Sequence, residues 1–230
     1  MTKRPLIALL AGAREAQDAA AWLSHTQADC VVVRARDSAS APLNMRTVAE
    51  VPQDVSGVLD VTHAFDVQTR IAALARAPNA TYACVQRDLW VPSAGDNWTE
   101  VDSLEQAIAA LPARSRVFAA TGRESLSTLH AHSGPVYLRQ LKQHSEPTGH
   151  KNCNFVFGVA PFTPEDEVAL FQKLRIDLVL ARNIGGAGSF PKLAAARMLG
   201  LPAILLHPPA RPTGPNLRSA QDVSQWVASL

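Results

Sequence analysis

Little in this chain points toward a metal, a membrane or a nucleic acid. It has three cysteines, Cys30, Cys84 and Cys153, widely spaced and without a C-x-x-C pair. That excludes a disulfide framework and fits a reducing compartment. Long apolar runs are missing too. After Lys3 and Arg4 the run Leu6–Ala11 is too short for the core of a signal peptide, and far short of the roughly 20 apolar residues that span a bilayer. A soluble, cytoplasmic protein is expected, with no membrane partner. Charge of one sign is also scarce: 22 Lys and Arg face 20 acidic residues, a formal net charge of +2. No nucleic-acid footprint follows from that balance, and an anionic small molecule is the more natural partner. No metal site is expected, because His130-x-His132 and His150-x-x-Cys153 do not make a coherent four-ligand set. The absence of a G-x-S-x-G elbow, and of a cysteine with an evident base, disfavours hydrolase chemistry.

What is present is alternation. Apolar types make up 47% of the 230 residues. They gather into short β-rich runs separated by Ala-rich helical stretches, the pattern of a parallel sheet covered on both faces. Strands are predicted at Leu6–Leu10, Cys30–Val33, Gly57–Asp60, Tyr82–Val85, Val117–Ala120, Val136–Leu138, Leu178–Leu180 and Ala203–Leu206. Helices are predicted at Arg14–Ser24, Ala64–Ala75, Ser103–Ala109, Glu124–Ala131, Pro164–Lys173, Phe190–Gly200 and Ala220–Ala228. A polar stretch at Pro92–Asn97 breaks the alternation, and a new strand–turn–helix begins after Leu111-Pro112. The expected fold is therefore α/β, with two Rossmann-like parallel-sheet domains, 1–112 and 113–230, and a ligand cleft between them.

The chemistry-bearing positions cluster at strand ends. Gly12-Ala13-Arg14-Glu15 is a small-residue turn whose amides suit an anion, or equally a tight βα connection. Asp60-Val61-Thr62-His63-Ala64-Phe65-Asp66 gathers polar groups where a buried strand stops, although Thr62 serves equally as a helix N-cap and His63 as a solvated first-turn residue. Arg87-Asp88-Leu89-Trp90 pairs a guanidinium with an indole, a combination suited to a flat anionic ligand; an Arg–Asp surface pair with Trp90 closing the core is the plainer reading. Thr121-Gly122-Arg123 opens a helix and suits a phosphate. Arg139 and Lys142 follow the next strand, where basic residues suit a 2′-phosphate; Arg34 and Arg36 offer the same in the first half. Finally, Arg182-Asn183-Ile184-Gly185-Gly186-Ala187-Gly188 follows a buried strand and leads to Lys192. Its glycines let the backbone approach a ligand, but the P-loop spacing is missing.

Six segments in this order resemble the precorrin-6A reductase family of cobalamin biosynthesis: Gly12–Ala16, Asp60–Phe65, Arg87–Trp90, Thr121–Arg123, Pro161-Phe162, and Arg182–Gly186 with Lys192–Arg197. The resemblance spans roughly residues 6–206. It implies an NADPH-dependent oxidoreductase that reduces precorrin-6A, a carboxylate-rich tetrapyrrole, to precorrin-6B by hydride transfer. In that reading Arg14, Thr62, His63, Arg87 and Trp90 bind the macrocycle, mainly on the 1–112 side. Thr121, Gly122, Arg123, Arg182, Asn183, Gly185, Gly186 and Lys192 bind NADPH on the 113–230 side. His63 or Asp66 delivers the proton, with solvent an equal candidate. The chain departs from the family pattern at Arg182 (usually lysine), Ile184 (usually serine), Ala64 (usually proline) and Asp66 (usually small). Arg182 rules out lysine-based proton transfer at that position. Three readings stay open beside this one: a cobalt-precorrin-6A reductase, a non-catalytic nucleotide- or tetrapyrrole-binding protein, and, less compatible with so short a chain, a glycosyltransferase-like enzyme. Hand-over of intermediates to neighbouring pathway enzymes is also open.

Overall fold

The run Leu6–Ala11 becomes β1, five of its six residues buried, because an unbroken apolar strand is stable only with both faces covered. The computed structural model describes residues 4–35 and 44–230; Arg36 lies outside them. The chain divides into two units, Met1–Gln86 with Pro209–Leu230, and Arg87–Pro208.

In the first unit β1 is followed by α1 (Ala16–Ser24), β2 (Asp29–Arg34), β3 (Thr47–Val48), β4 (Gly57–Val61), α2 (Val67–Arg76) and β5 (Thr81–Cys84). The strands form one parallel sheet in the order β3-β2-β1-β4-β5. Successive strands step one way from β1 to β3 and the other way from β4 to β5. The β1/β4 border is therefore the topological switch point, where an open α/β sheet receives ligands beyond its carboxyl edge.

The second unit runs β6 (Trp98–Val101), α3 (Leu104–Ala110), β7 (Val117–Ala120), α4 (Leu126–Leu129), β8 (Val136–Gln140), β9 (Cys153–Phe157), α5 (Pro164–Leu174), β10 (Leu178–Arg182), α6 (Pro191–Leu199) and β11 (Ala203–Leu206). The sheet order is β6-β11-β10-β7-β8-β9 and every pair is parallel. Here the switch point is the β7/β10 border. Helix α5 starts as its sequence dictates, with Thr163 capping the Asp166 amide and Pro164 in the first turn.

All eight predicted strands are present, two with the predicted bounds (Val117–Ala120 and Ala203–Leu206) and six shifted by a residue or two at their ends. Among the described residues three strands were not predicted, β3, β6 and β9, and all three are sheet edges. β3 and β6 are largely exposed and carry no apolar run to read, as suits edge strands; β9 does hold Phe155-Val156-Phe157, a run that went unread. The helix predicted at Glu124–Ala131 is instead a 3-10 turn, Arg123–Ser125, followed by the single helical turn of α4. Nor does the chain divide at residue 112. β6 pairs with β11, which ties residues before 112 to the second unit. The chain then returns to the first unit, where α7 (Ala220–Ala228) buries Val223, Trp226 and Val227 against Leu9, Leu23 and Leu59.

Candidate functional site

At the first unit's switch point, β1 hands over to Gly12. A Cβ there would come within 2.9 Å of the Ala35 Cβ and 3.2 Å of the Thr62 backbone, so only glycine fits without a shift. The Gly12 and Ala13 amides both donate to the Val61 carbonyl, at 3.1 and 2.8 Å. The amides offered to an anion in the sequence reading are thus used inside the turn, which is a packed βα connection. Arg14 stands exposed just beyond it.

One strand away, β4 carries Asp60, a carboxylate with no exposed surface in an otherwise apolar strand. Its oxygens accept from the Thr62 amide (2.9 Å), the Thr62 hydroxyl (2.6 Å), Arg70 Nε (2.7 Å), the Tyr82 hydroxyl (2.6 Å) and Arg211. Burial alone would raise its pKa, but Arg211, Thr62, Tyr82 and Arg70 overcome that and hold the carboxyl below the usual range. Thr62 is buried, its hydroxyl shared between Asp60 and Arg70, so it acts as neither N-cap nor exposed donor. The cap of α2 is Asp66, which accepts from the Thr69 amide at 3.1 Å. His63 is half-buried on the same turn, and its Nδ1 accepts from the Phe65 amide at 3.3 Å. Asp60, Arg70, Tyr82 and Arg211 were missed from sequence. Asp60 alone left a signal, since an acid inside a buried strand requires a partner.

The second unit gathers more of the predicted residues. Two turns lie side by side beyond β7 and β10. Each holds a glycine in the left-handed region, Gly122 at φ 87° and Gly186 at φ 76°, and each runs into a 3-10 turn. Arg182, at the end of β10, pairs with Glu124 of the neighbouring turn. Thr121 is buried, its hydroxyl 2.6 Å from that of Ser125. Arg123 is exposed, pairs with Glu146 and lies over the Phe155 ring. Because the helix here is one turn long, its dipole adds little for a phosphate; the cationic side chain is what remains.

Arg87 and Trp90, grouped with Arg14 and His63 in the sequence reading, belong to this second unit. Asn183, almost fully buried, grips the Trp90 backbone twice: Oδ1 accepts its amide at 2.9 Å, and Nδ2 donates to its carbonyl at 2.9 Å. The indole Nε1 donates to the Gly186 carbonyl at 2.9 Å. A Cβ on Gly185 would meet the Asp88 carbonyl oxygen at 2.1 Å, and one on Gly186 the Arg87 Cδ at 2.7 Å. The glycine loop is therefore closed onto 87–90 by sterics as much as by hydrogen bonds. Trp90, Phe190, Pro164, Pro191, Ala187 and Gly186 line an apolar hollow of about 440 Å³.

Lys192 lies over the Trp90 ring, Nζ 5.3 Å from its centroid, and donates to the Ser189 carbonyl. Burial pulls its ammonium down to about 8, partly offset by Glu167. Arg139, proposed for a 2′-phosphate, points elsewhere: its side chain is only 9% exposed, bonded to Glu167 at 2.7 Å and packed between Phe118 and Phe162. Lys142 is exposed. Among the described residues no group of three or more His, Cys, Asp or Glu is placed to hold a metal ion, and no helix is long and apolar enough to cross a membrane.

Comparison with known proteins is consistent with this geometry. The family described as precorrin-6x reductase CbiJ/CobK matches residues 6–228. The precorrin-6A reductase of Rhodobacter capsulatus is 38% identical over 180 residues, covering 76% of this chain and 72% of that protein. The precorrin-6A reductase of Sinorhizobium sp is 28% identical over 250 residues, covering 98% of this chain and 95% of the relative. A solved structure described as CobK precorrin-6A reductase superposes with a TM-score of 0.81 at 32% identity, covering 99% of this chain and 97% of its own.

Proposed function

The chain belongs to the precorrin-6x reductase family, and from that premise we propose how its two switch points divide the work of an NADPH-dependent precorrin-6A reductase. The reaction is the reduction of precorrin-6A in cobalamin biosynthesis, an oxidoreductase step on a CH–CH group. The metal-free substrate is favoured over the cobalt form because the relatives above carry the precorrin-6A name.

The residues of the second unit fit a nicotinamide dinucleotide. The observation that carries this is the pair of adjacent glycine turns at the β7/β10 border, one backed by the buried Asn183, with cations at Arg123, Arg182 and Lys192. Gly122, Gly185 and Gly186 supply close backbone approach, and Thr121 fixes its turn through Ser125. Arg123 exchanges Glu146 for a phosphate at little cost, because an exposed ion pair is worth about 0–1 kcal/mol. With Arg139 turned onto Glu167, preference for a 2′-phosphate falls to Arg123 and Lys142. When bound, the dinucleotide supplies the hydride. Arg87, packed on the same loop, holds the macrocycle by a carboxylate, while Trp90 is buried in this unit's core and shapes the loop rather than offering the macrocycle a flat face.

In the first unit the exposed Arg14 takes a carboxylate of the substrate, Thr62 fixes the turn, and His63 delivers the proton. Nδ1 accepts from the Phe65 amide in the neutral ring; to act as an acid the ring takes up a second proton, gives up that 3.3 Å contact and delivers a proton as the imidazolium. Asp66 is committed to its helix cap, which leaves His63 the better donor. The test is His63→Ala under anaerobic turnover. A kcat lower by about 100-fold, with the NADPH KM unchanged, is expected of a general acid; unchanged kcat removes His63 from the reaction.

A further inference from the structure

Arg211 belongs to none of the motifs above, yet it reaches the centre of the first unit. It follows Pro208 and Pro209, precedes Pro212 and Pro215, and so travels on a segment with little conformational freedom. That segment is fastened to β5. The Cys84 amide donates to the Pro215 carbonyl at 2.9 Å, and the Leu217 amide to the Cys84 carbonyl at 2.7 Å. The Asn216 side chain accepts from the Gln86 amide and donates to its carbonyl. At Gly214 a Cβ would sit 2.4 Å from the Tyr82 carbonyl oxygen, so the segment presses on β5 as closely as backbone allows.

Charge neutralisation does not account for what this segment delivers. Arg70 already pairs with Asp60 through Nε at 2.7 Å. A second guanidinium carries a desolvation cost that one more contact to the same carboxylate does not justify. What Arg211 adds is a bond that no other described residue makes: with one nitrogen on Asp60, its Nη2 donates to the Thr62 main-chain carbonyl at 3.0 Å. Asp60 in turn holds the Thr62 amide and hydroxyl. The amide, carbonyl and hydroxyl of Thr62 are thus all held, and His63 is the next residue. We propose that Arg211, carried in by the C-terminal segment, is a positioning residue that sets the Thr62–His63 turn for the macrocycle. The inference rests on the reading of His63 given above.

The test uses the full chain with Arg211→Ala, Arg211→Lys, Tyr82→Phe and His63→Ala, measuring kcat, both KM values and Tm. Arg211→Ala is expected to lower kcat/KM for precorrin-6A at least about tenfold, the scale of a lost charge-assisted hydrogen bond. The NADPH KM should stay put, and added methylguanidinium should restore part of the rate. Arg211→Lys retains a cation for Asp60 but lacks the guanidinium fork; it should show the same kinetic defect at nearly native Tm, and it decides the matter if Arg211→Ala fails to fold. Tyr82→Phe removes a hydroxyl that meets both Asp60 and Arg211 but leaves the Arg211–Thr62 bond in place, so it should lower Tm with a smaller kinetic defect than Arg211→Lys. Native kinetics in Arg211→Lys, or an equal defect in Tyr82→Phe, overturns the proposal while a defect in His63→Ala keeps the reading of the turn. No defect in His63→Ala overturns that reading itself.

Discussion

Arg123 and Lys192 are the residues whose chemistry separates the two proposed ligands. Arg123→Ala is expected to raise the NADPH KM by about tenfold or more while moving the precorrin-6A KM much less, since a charge-assisted contact to a phosphate is lost. Equal effects on both would contradict the division of labour. Lys192 adds a pH signature. Its ammonium, lowered by burial to about 8, is charged below that value and neutral above it. For the free enzyme, kcat/KM for NADPH should therefore fall as pH rises through about 8, and Lys192→Met should remove that limb. A profile unchanged by Lys192→Met would detach Lys192 from the cofactor. At this scale the sequence was informative about which residue types gather, but not about how each is used. Thr121, Asn183 and Thr62 looked like donors to a ligand; the structure shows their polar groups engaged within the protein, Asn183 on the Trp90 backbone and Thr62 on Asp60. Arg139 looked available and is bonded to Glu167. Side-chain direction of this kind depends on partners distant in sequence, which residue spacing does not encode.

Among the elements, β4 and α7 carry the clearest consequences. The Asp60 carboxyl is depressed in the folded state, so the stability it contributes is present above the unfolded carboxylate value, about 3.9, and is lost as pH falls through its lower folded value. Asp60→Asn should weaken the acid dependence of Tm as well as lower Tm at neutral pH; an unaltered acid limb would assign that dependence to other carboxylates. Helix α7 places Trp226, 6% exposed, against the core of the first unit. Trp226→Ala should cost about 3–5 kcal/mol in chemical unfolding, and a loss under about 1 kcal/mol would show that the helix is not part of that core. Elements were legible from sequence where apolar runs marked buried strands. The edges β3 and β6 were not, because solvent-facing strands need no such run; β9 was passed over although it holds Phe155-Val156-Phe157. The one-turn α4 was overread because a small-residue turn before a polar stretch resembles a longer helix start.

For the whole molecule, the sequence revealed two parallel sheets but not where the chain changes hands. The break at Leu111-Pro112 looked like a boundary, yet β6 had already joined the second sheet and the last segment, from Pro209, belongs to the first. Strand order is set by pairing across long separations, such as Trp98 with Ala203, and leaves no local trace. The family resemblance, by contrast, was legible because it rests on six short segments in order; the fold brings Gly12–Ala16 and Asp60–Phe65 to the ends of adjacent strands in the first sheet, and Thr121–Arg123 and Arg182–Gly186 to the ends of adjacent strands in the second. The measurement that tests the account most directly is anaerobic oxidation of NADPH by the purified chain with precorrin-6A, run beside NADH and beside the cobalt-containing substrate. The account predicts turnover with NADPH and the metal-free macrocycle, with NADH much the poorer donor. Binding of both ligands without oxidation of either nucleotide would contradict it.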